Sequence, residues 1–97
     1  HAERGAIYQA ARLGVQTVGL TMYCPWFACV DCARAIICAG IAEVVGHQQM
    51  YDKSTDRWKE SIADALAMLD EAGINRRLVS GNVGGIRVRF DGAYWEP

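Results

Sequence analysis

Long apolar runs are missing from this 97-residue chain. None approaches the roughly 18 to 20 consecutive apolar residues that span a bilayer, so no membrane-crossing helix is expected. The first residues, His1-Ala2-Glu3-Arg4, do not form the basic segment and apolar run of a secretory leader, and neither end shows a lipidation motif. Charge of one sign is scarce as well. Ten Lys and Arg against eleven Asp and Glu leave a formal net charge of −1 and a pI near 6.1. A domain that grips long nucleic acid usually shows a basic face and a high pI, so the balance favours a small-molecule ligand over a polynucleotide. Low-complexity tracts and internal repeats are absent, which argues against a disordered or solenoid chain.

What is present is material for one packed domain. Apolar residues make up 52% of the chain, and a domain of this length buries roughly 60 to 65% of its unfolded surface. The cysteines are Cys24, Cys29, Cys32 and Cys38. Without a secretory leader they read as reduced cytoplasmic thiols or metal ligands, not as disulfides. Cys29 and Cys32 would close almost no loop, so a bridge between them would add little. Cys24 and Cys38 read as small core residues.

Periodicity and punctuation order the elements. Residues 2–13 are Ala-rich and stop at Gly14, which suits a helix. Residues 18–24 are β-branched and aromatic, a strand ended by Pro25. A second helix is expected over 29–39, with Ala33, Ile36 and Ile37 as its apolar stripe and Gly40 as its stop. Residues 42–46 read as a short buried strand, and the polar stretch 47–56 as irregular. Over 56–72 Trp58, Ile62, Leu66 and Leu69 share one face, the pattern of an amphipathic helix with Trp58 in the core. A strand follows at 75–80, a glycine-rich connection at 81–85, and an alternating edge strand at 86–90 with Arg87 and Arg89 facing solvent. Alternating helices and strands imply an α/β fold, a mostly parallel sheet with helices on both faces. In such sheets chemistry gathers at the carboxyl ends of the strands, where 25–29 falls.

Two short motifs carry chemistry. Cys29-Val30-Asp31-Cys32 sits where a strand gives way to a helix, so both thiols lie on one face of a first helical turn. A helix N-terminus favours thiolates. Alone, this pair fits a redox couple as well as a metal. His1-Ala2-Glu3 adds an imidazole, and one imidazole with two thiolates leaves a zinc ion one open position, the mark of a catalytic site. A carboxylate two residues from the histidine can stand beside that position without being a ligand, as a general base and acid must.

H-A-E followed by C-x-x-C on the next helix resembles the signature of the zinc-dependent cytidine and deoxycytidylate deaminase superfamily. HAERGAIYQAARLG is similar to the first zinc helix of that family, LTMYC to the strand after it, and CVDCARAIICAGIAEVV to the second zinc helix and the next strand. The likeness is close over 1–46 and continues in architecture to about residue 80. Cytidine deaminases proper look like PCGxCRQ at the cysteines and transfer-RNA deaminases like PCxMCxGA. The C-x-D-C-A-x-x-I pattern with a downstream A-G-I is most similar to deoxycytidylate deaminases, and a helix at 56–72 implies parallel final strands, as in that branch. Ala28 and Gly5 depart from the family, which usually has Pro and often Asn there.

The resemblance implies hydrolytic deamination of a cytosine nucleotide, dCMP to dUMP plus ammonia, in a single domain over 1–97. By the same analogy a helix, a strand pair and a sugar-binding Asn precede these residues in relatives. It implies Zn2+ held by His1, Cys29 and Cys32, with Glu3 moving a proton from the attacking water to N3 of the base and on to the leaving amine. The backbone amide of Ala2 would face the base carbonyl and the carbonyl of Phe27 the departing amino group. Trp26 would wall the pocket, with Tyr23, His47 and Tyr51 as further lining. A small nucleotide substrate and a homo-oligomer are the partners it suggests. Two other readings stay open: a deaminase of another amino-pyrimidine, nucleoside or single-stranded nucleic acid, and a non-catalytic zinc-binding module. Arg12 and Arg34 read as solvated helix charges.

Overall fold

The computed structural model describes residues 1–97. Helix α1 (Ala2–Leu13) leads into strand β1 (Thr21–Tyr23), helix α2 (Val30–Cys38), strand β2 (Glu43–His47), the short helix α3 (Gln48–Asp52), helix α4 (Asp56–Glu71) and strand β3 (Asn75–Val79). Strands β4 (Val88–Phe90) and β5 (Ala93–Trp95) complete the chain. The main sheet is parallel in the order β1-β2-β3, with Val44 opposite Met22 and Arg76. The α/β class, the order of the helices and the parallel pairing of β2 with β3 are those the sequence implies.

Packing explains why these segments settle as they do. Cys32, Ala33 and Ile36 on α2 are fully enclosed, and Ile62, Ala65 and Leu69 on α4 meet them in one cluster with Val44 of the central strand. Successive residues of β2 point to opposite faces of the sheet. Val45 and His47 are accordingly buried outside that cluster. Gly40 ends α2 with φ 72°, and a Cβ there would also meet Val18 Cγ2 at 3.1 Å, so both backbone and space demand glycine.

Several expectations are corrected. The strand expected over 18–24 is only Thr21–Tyr23, because Val18 and Gly19 form a turn tied by the Gly19 N–H to the Gly40 carbonyl at 2.8 Å. The stretch 47–56 is not irregular throughout, since α3 occupies Gln48–Asp52 and buries Met50. The edge strand expected at 86–90 does not join the main sheet. Its last three residues pair only with β5 in an antiparallel hairpin, for which the adjoining Asp91-Gly92 is a standard two-residue turn. Arg87 and Arg89 are exposed, as expected. Cys38 is exposed because it lies on the last turn of α2, beyond its buried stripe. Trp58 is 39% exposed; it stands one turn ahead of Ile62, where α4 has left the core and entered the wall of a cavity. No helix is long and apolar enough to cross a membrane.

Candidate metal centre

Two helix N-termini meet at one point. His1 is the N-cap of α1 and Cys29 the N-cap of α2, with Cys32 one turn further on. His1 Nδ1 lies 3.3 Å from Cys29 Sγ and 3.6 Å from Cys32 Sγ, and the three donor atoms all fall within 4.8 Å of one another. Tetrahedral zinc with bonds of about 2.0 Å to nitrogen and 2.3 Å to sulfur needs edges of roughly 3.5 to 3.8 Å. The donor set therefore fits zinc in both chemistry and spacing.

The thiols meet opposing influences. The start of α2 favours negative charge, but burial, followed by the nearby Glu3 carboxylate, pushes the Cys32 thiol up to about 11. Burial outweighs the helix end, so metal binding must expel the proton. Glu3 faces the same cluster: Cys24 Sγ donates to Glu3 Oε1 at 3.2 Å, and Cys32 Sγ approaches Oε2 at 3.8 Å. Cys24 is 5% exposed, and its single S–H is shared between the Glu3 carboxylate and the Trp26 carbonyl, which also lies against Sγ. Burial, then Glu3, raises its pKa, so it remains a thiol able to donate. Cys24 was legible as core; its hold on Glu3 was not, because the sequence does not show that the end of β1 passes beneath the first turn of α1.

His1, Ala2, Glu3, Cys29, Trp26 and Phe27 all line one cavity of about 490 Å³. The Trp26 indole stacks on Phe90, with centroids 4.9 Å apart and planes 19° from parallel. Phe27 is buried and takes Tyr51 edge-on at 5.7 Å. A Cβ on Gly46 would come within 3.2 Å of the Phe27 ring, so the bare backbone of β2 sets how deeply that ring seats. Tyr23 lies outside the lining and is 73% exposed, because its strand position turns it to the outer face. His47 and Tyr51 do not line the cavity either. His47 is buried instead, its Nε2 2.7 Å from the Gly81 carbonyl, which anchors the connection to the hairpin.

The far wall comes from residues that the sequence did not single out for this place. Trp58 meets the His1 ring edge-on at 5.6 Å. Ser54, Thr55 and Arg57 stand beside it, and Phe90 and Asp91 enter from the hairpin. Only the amphipathic break at the start of α4 hinted at this, since Trp58 was the one aromatic on an otherwise aliphatic stripe.

With this geometry in place, comparison with known proteins gives the following. Residues 1–48 match the cytidine and deoxycytidylate deaminase zinc-binding region. The deoxycytidylate deaminase of Enterobacteria phage T2 is 42% identical over 65 residues, covering 67% of this chain and 34% of that protein. The phage T4 deoxycytidylate deaminase is likewise 42% identical over 65 residues, covering 67% and 33%. ComE operon protein 2 of Bacillus subtilis (strain 168) is 43% identical over 44 residues, 45% of this chain and 23% of its own. The chain thus spans about a third of the length of the phage relatives it matches.

Proposed function

We propose that this chain, whose residues 1–48 match the cytidine and deoxycytidylate deaminase zinc-binding region, is a zinc hydrolase that deaminates a cytosine nucleotide, dCMP to dUMP plus ammonia. The observation that carries the proposal is the Glu3 carboxylate standing in one cavity with a three-donor metal site. A closed structural site would have a fourth protein ligand and no use for a carboxylate beside it. The two phage relatives, both named deoxycytidylate deaminases, support the choice of substrate.

Zinc, when bound by His1, Cys29 and Cys32, supplies the Lewis acid that makes water nucleophilic at neutral pH. Glu3 takes a proton from the attacking water and delivers it to N3 of the base as the new C–O bond forms at C4. It then passes the second proton to the exocyclic nitrogen, the C4–N bond breaks, and ammonia leaves a uracil ring. Cys24, donating to Glu3 Oε1, fixes the carboxylate and leaves its other oxygen for the water. The Ala2 amide orients the base through its carbonyl, the Phe27 carbonyl accepts from the departing amino group, and Trp26, braced by Phe90, excludes water from one face. The four free cysteines suit a reducing compartment, the cytoplasm. Exposed Leu20 and Tyr23 flanking or forming the unpaired edge strand β1 suit self-association.

The test is ammonia release from dCMP, deoxycytidine, CMP and a short single-stranded DNA, by zinc-loaded natural full-length protein and by its Glu3→Gln variant. Turnover of dCMP that drops at least 10³-fold in Glu3→Gln, with one zinc per chain retained, is the expected result. Unaltered turnover in the variant would remove Glu3 from the mechanism.

A further inference from the structure

The first turn of α4 is uncapped. Thr55 holds the N-cap position in extended geometry, φ −70° and ψ 157°, and its side chain makes no capping hydrogen bond. The Trp58 N–H is satisfied by the Thr55 carbonyl at 2.9 Å, but the Asp56 and Arg57 N–H groups have no protein acceptor. Free N–H groups at the positive end of a 16-residue helix attract anions. A helix end alone would not make a site; the residue before it supplies an independent sign. Ser54 is 7% exposed, and its Oγ is shut off from solvent without a hydrogen-bond partner. Buried hydroxyls rarely stay unpaired, and Ser54 borders the same cavity as the metal donors.

The charge around this corner points to the kind of ligand. Arg57 lines the cavity and forms no ion pair; its guanidinium lies over the Trp58 ring, 5.2 Å from the centroid. Trp58 in turn meets His1. A free cation, two hydroxyls and two N–H groups thus gather one aromatic ring away from the metal donors. Two nearby carboxylates must be weighed against an anion. Asp56 is turned out to solvent, 98% exposed, and pairs with Lys59 at 3.2 Å, while Asp91 reaches the cavity from the opposite wall, on the hairpin. A corner built chiefly of donors suits a tetrahedral dianion, whose oxygens only accept, better than a sugar hydroxyl, which must also donate.

We infer that Ser54, Thr55 and Arg57, with the free N–H groups of α4, form the subsite for the phosphate monoester of the nucleotide. The inference rests on the proposed deaminase reading, which places the base at the metal donors and the phosphate beyond Trp58. Two measurements on the natural full-length protein test it. The first is the ratio of kcat/KM for dCMP to that for deoxycytidine. It should fall about tenfold to a hundredfold in Arg57→Gln, the loss expected for a charge-assisted hydrogen bond, and recover in part in Arg57→Lys, which keeps the charge but not the fork. The second, independent of turnover, is the affinity for dUMP relative to deoxyuridine, with dUMP followed by 31P NMR; this preference should fall by a similar factor in Arg57→Gln. Preferences equal to wild type in both measurements overturn the subsite. Protein that binds dUMP through Arg57 yet deaminates nothing upholds the subsite and overturns the deaminase reading.

Discussion

The two halves of the chain build one cavity by different means. Residues of the first half present His1, Cys29 and Cys32 from the N-termini of α1 and α2, with the donor atoms within 4.8 Å of one another. The second half supplies a wall from the start of α4 and from a hairpin outside the main sheet. That hairpin is held by scattered side-chain contacts: Phe90 on Trp26, Lys53 over Trp95 at 4.7 Å, and the Gly81 carbonyl on His47. Segments with few buried apolar contacts open more readily than packed helices. The metal donors thus sit on the packed part, and the opposite cavity wall on the part with fewer buried contacts.

The largest effect that would break this contrast lies at the metal. A ligand bound only by the folded state at 1,000 times its Kd adds about 4 kcal/mol of stability. In a domain of this size that is roughly 15 to 30 °C in Tm. Chelation should therefore lower the Tm of zinc-loaded protein by about that much, and Cys32→Ala should melt low with or without chelator. A Tm indifferent to chelation would mean that packing of α1 on α2, not the metal, draws the two N-termini together, and the rigid half would be rigid for another reason.

A smaller effect sharpens the contrast inside the first half. Gly46→Ala brings a Cβ to 3.1 Å from Leu78 Cδ2 and 3.2 Å from the Phe27 ring. The Leu78 methyl can move, since its side chain is only half-buried, but Phe27 is 4% exposed and enclosed. Overpacking of this kind costs about 1 to 3 kcal/mol. Because Phe27 also lines the cavity, KM for dCMP should rise several-fold while zinc content stays at one per chain. A stability loss with unchanged KM would separate the seat of Phe27 from the substrate.

The same contrast explains what could be read from the residues alone. Zinc accepts few side chains, at spacings set by its bond lengths, so His1, Cys29 and Cys32 stand out as a donor set by their identity. The helices and parallel strands were legible because α2 and α4 bury periodic apolar stripes that end at Gly40 and Gly73. A wall has no such code. Trp58 reads as core by periodicity, and only the placement of α1 against it reveals that its ring meets His1. Tyr23 lies on a strand leading to the site, yet the parity of a three-residue strand decides which face it takes. The hairpin failed for a related reason: alternation over 86–90 announces a strand but does not name its partner.

The smallest expected effect concerns the seam between α4 and β3, far from the cavity. Arg76 Nε and Nη2 donate to the two oxygens of Asp70 at 2.7 and 3.0 Å, a bidentate pair that joins the last turn of α4 to the second residue of β3. These hydrogen bonds hold the Asp70 carboxyl below its ordinary value. A carboxyl depressed in the folded state stabilises the fold above its unfolded pKa, and that contribution is lost as pH falls through the folded value. The pair should therefore help at pH 7 and cease to help only below the ordinary carboxylate range. Both side chains are substantially exposed, 53% for Asp70 and 37% for Arg76, and exposed pairs contribute little. Asp70→Asn should lower Tm by about 1 to 2 °C at pH 7, and the difference from wild type should shrink as pH falls below the ordinary carboxylate range and in molar salt. A difference that ignores both acid and salt would mean that Asp70 supports the helix end by its shape and hydrogen bonds, with its charge contributing nothing.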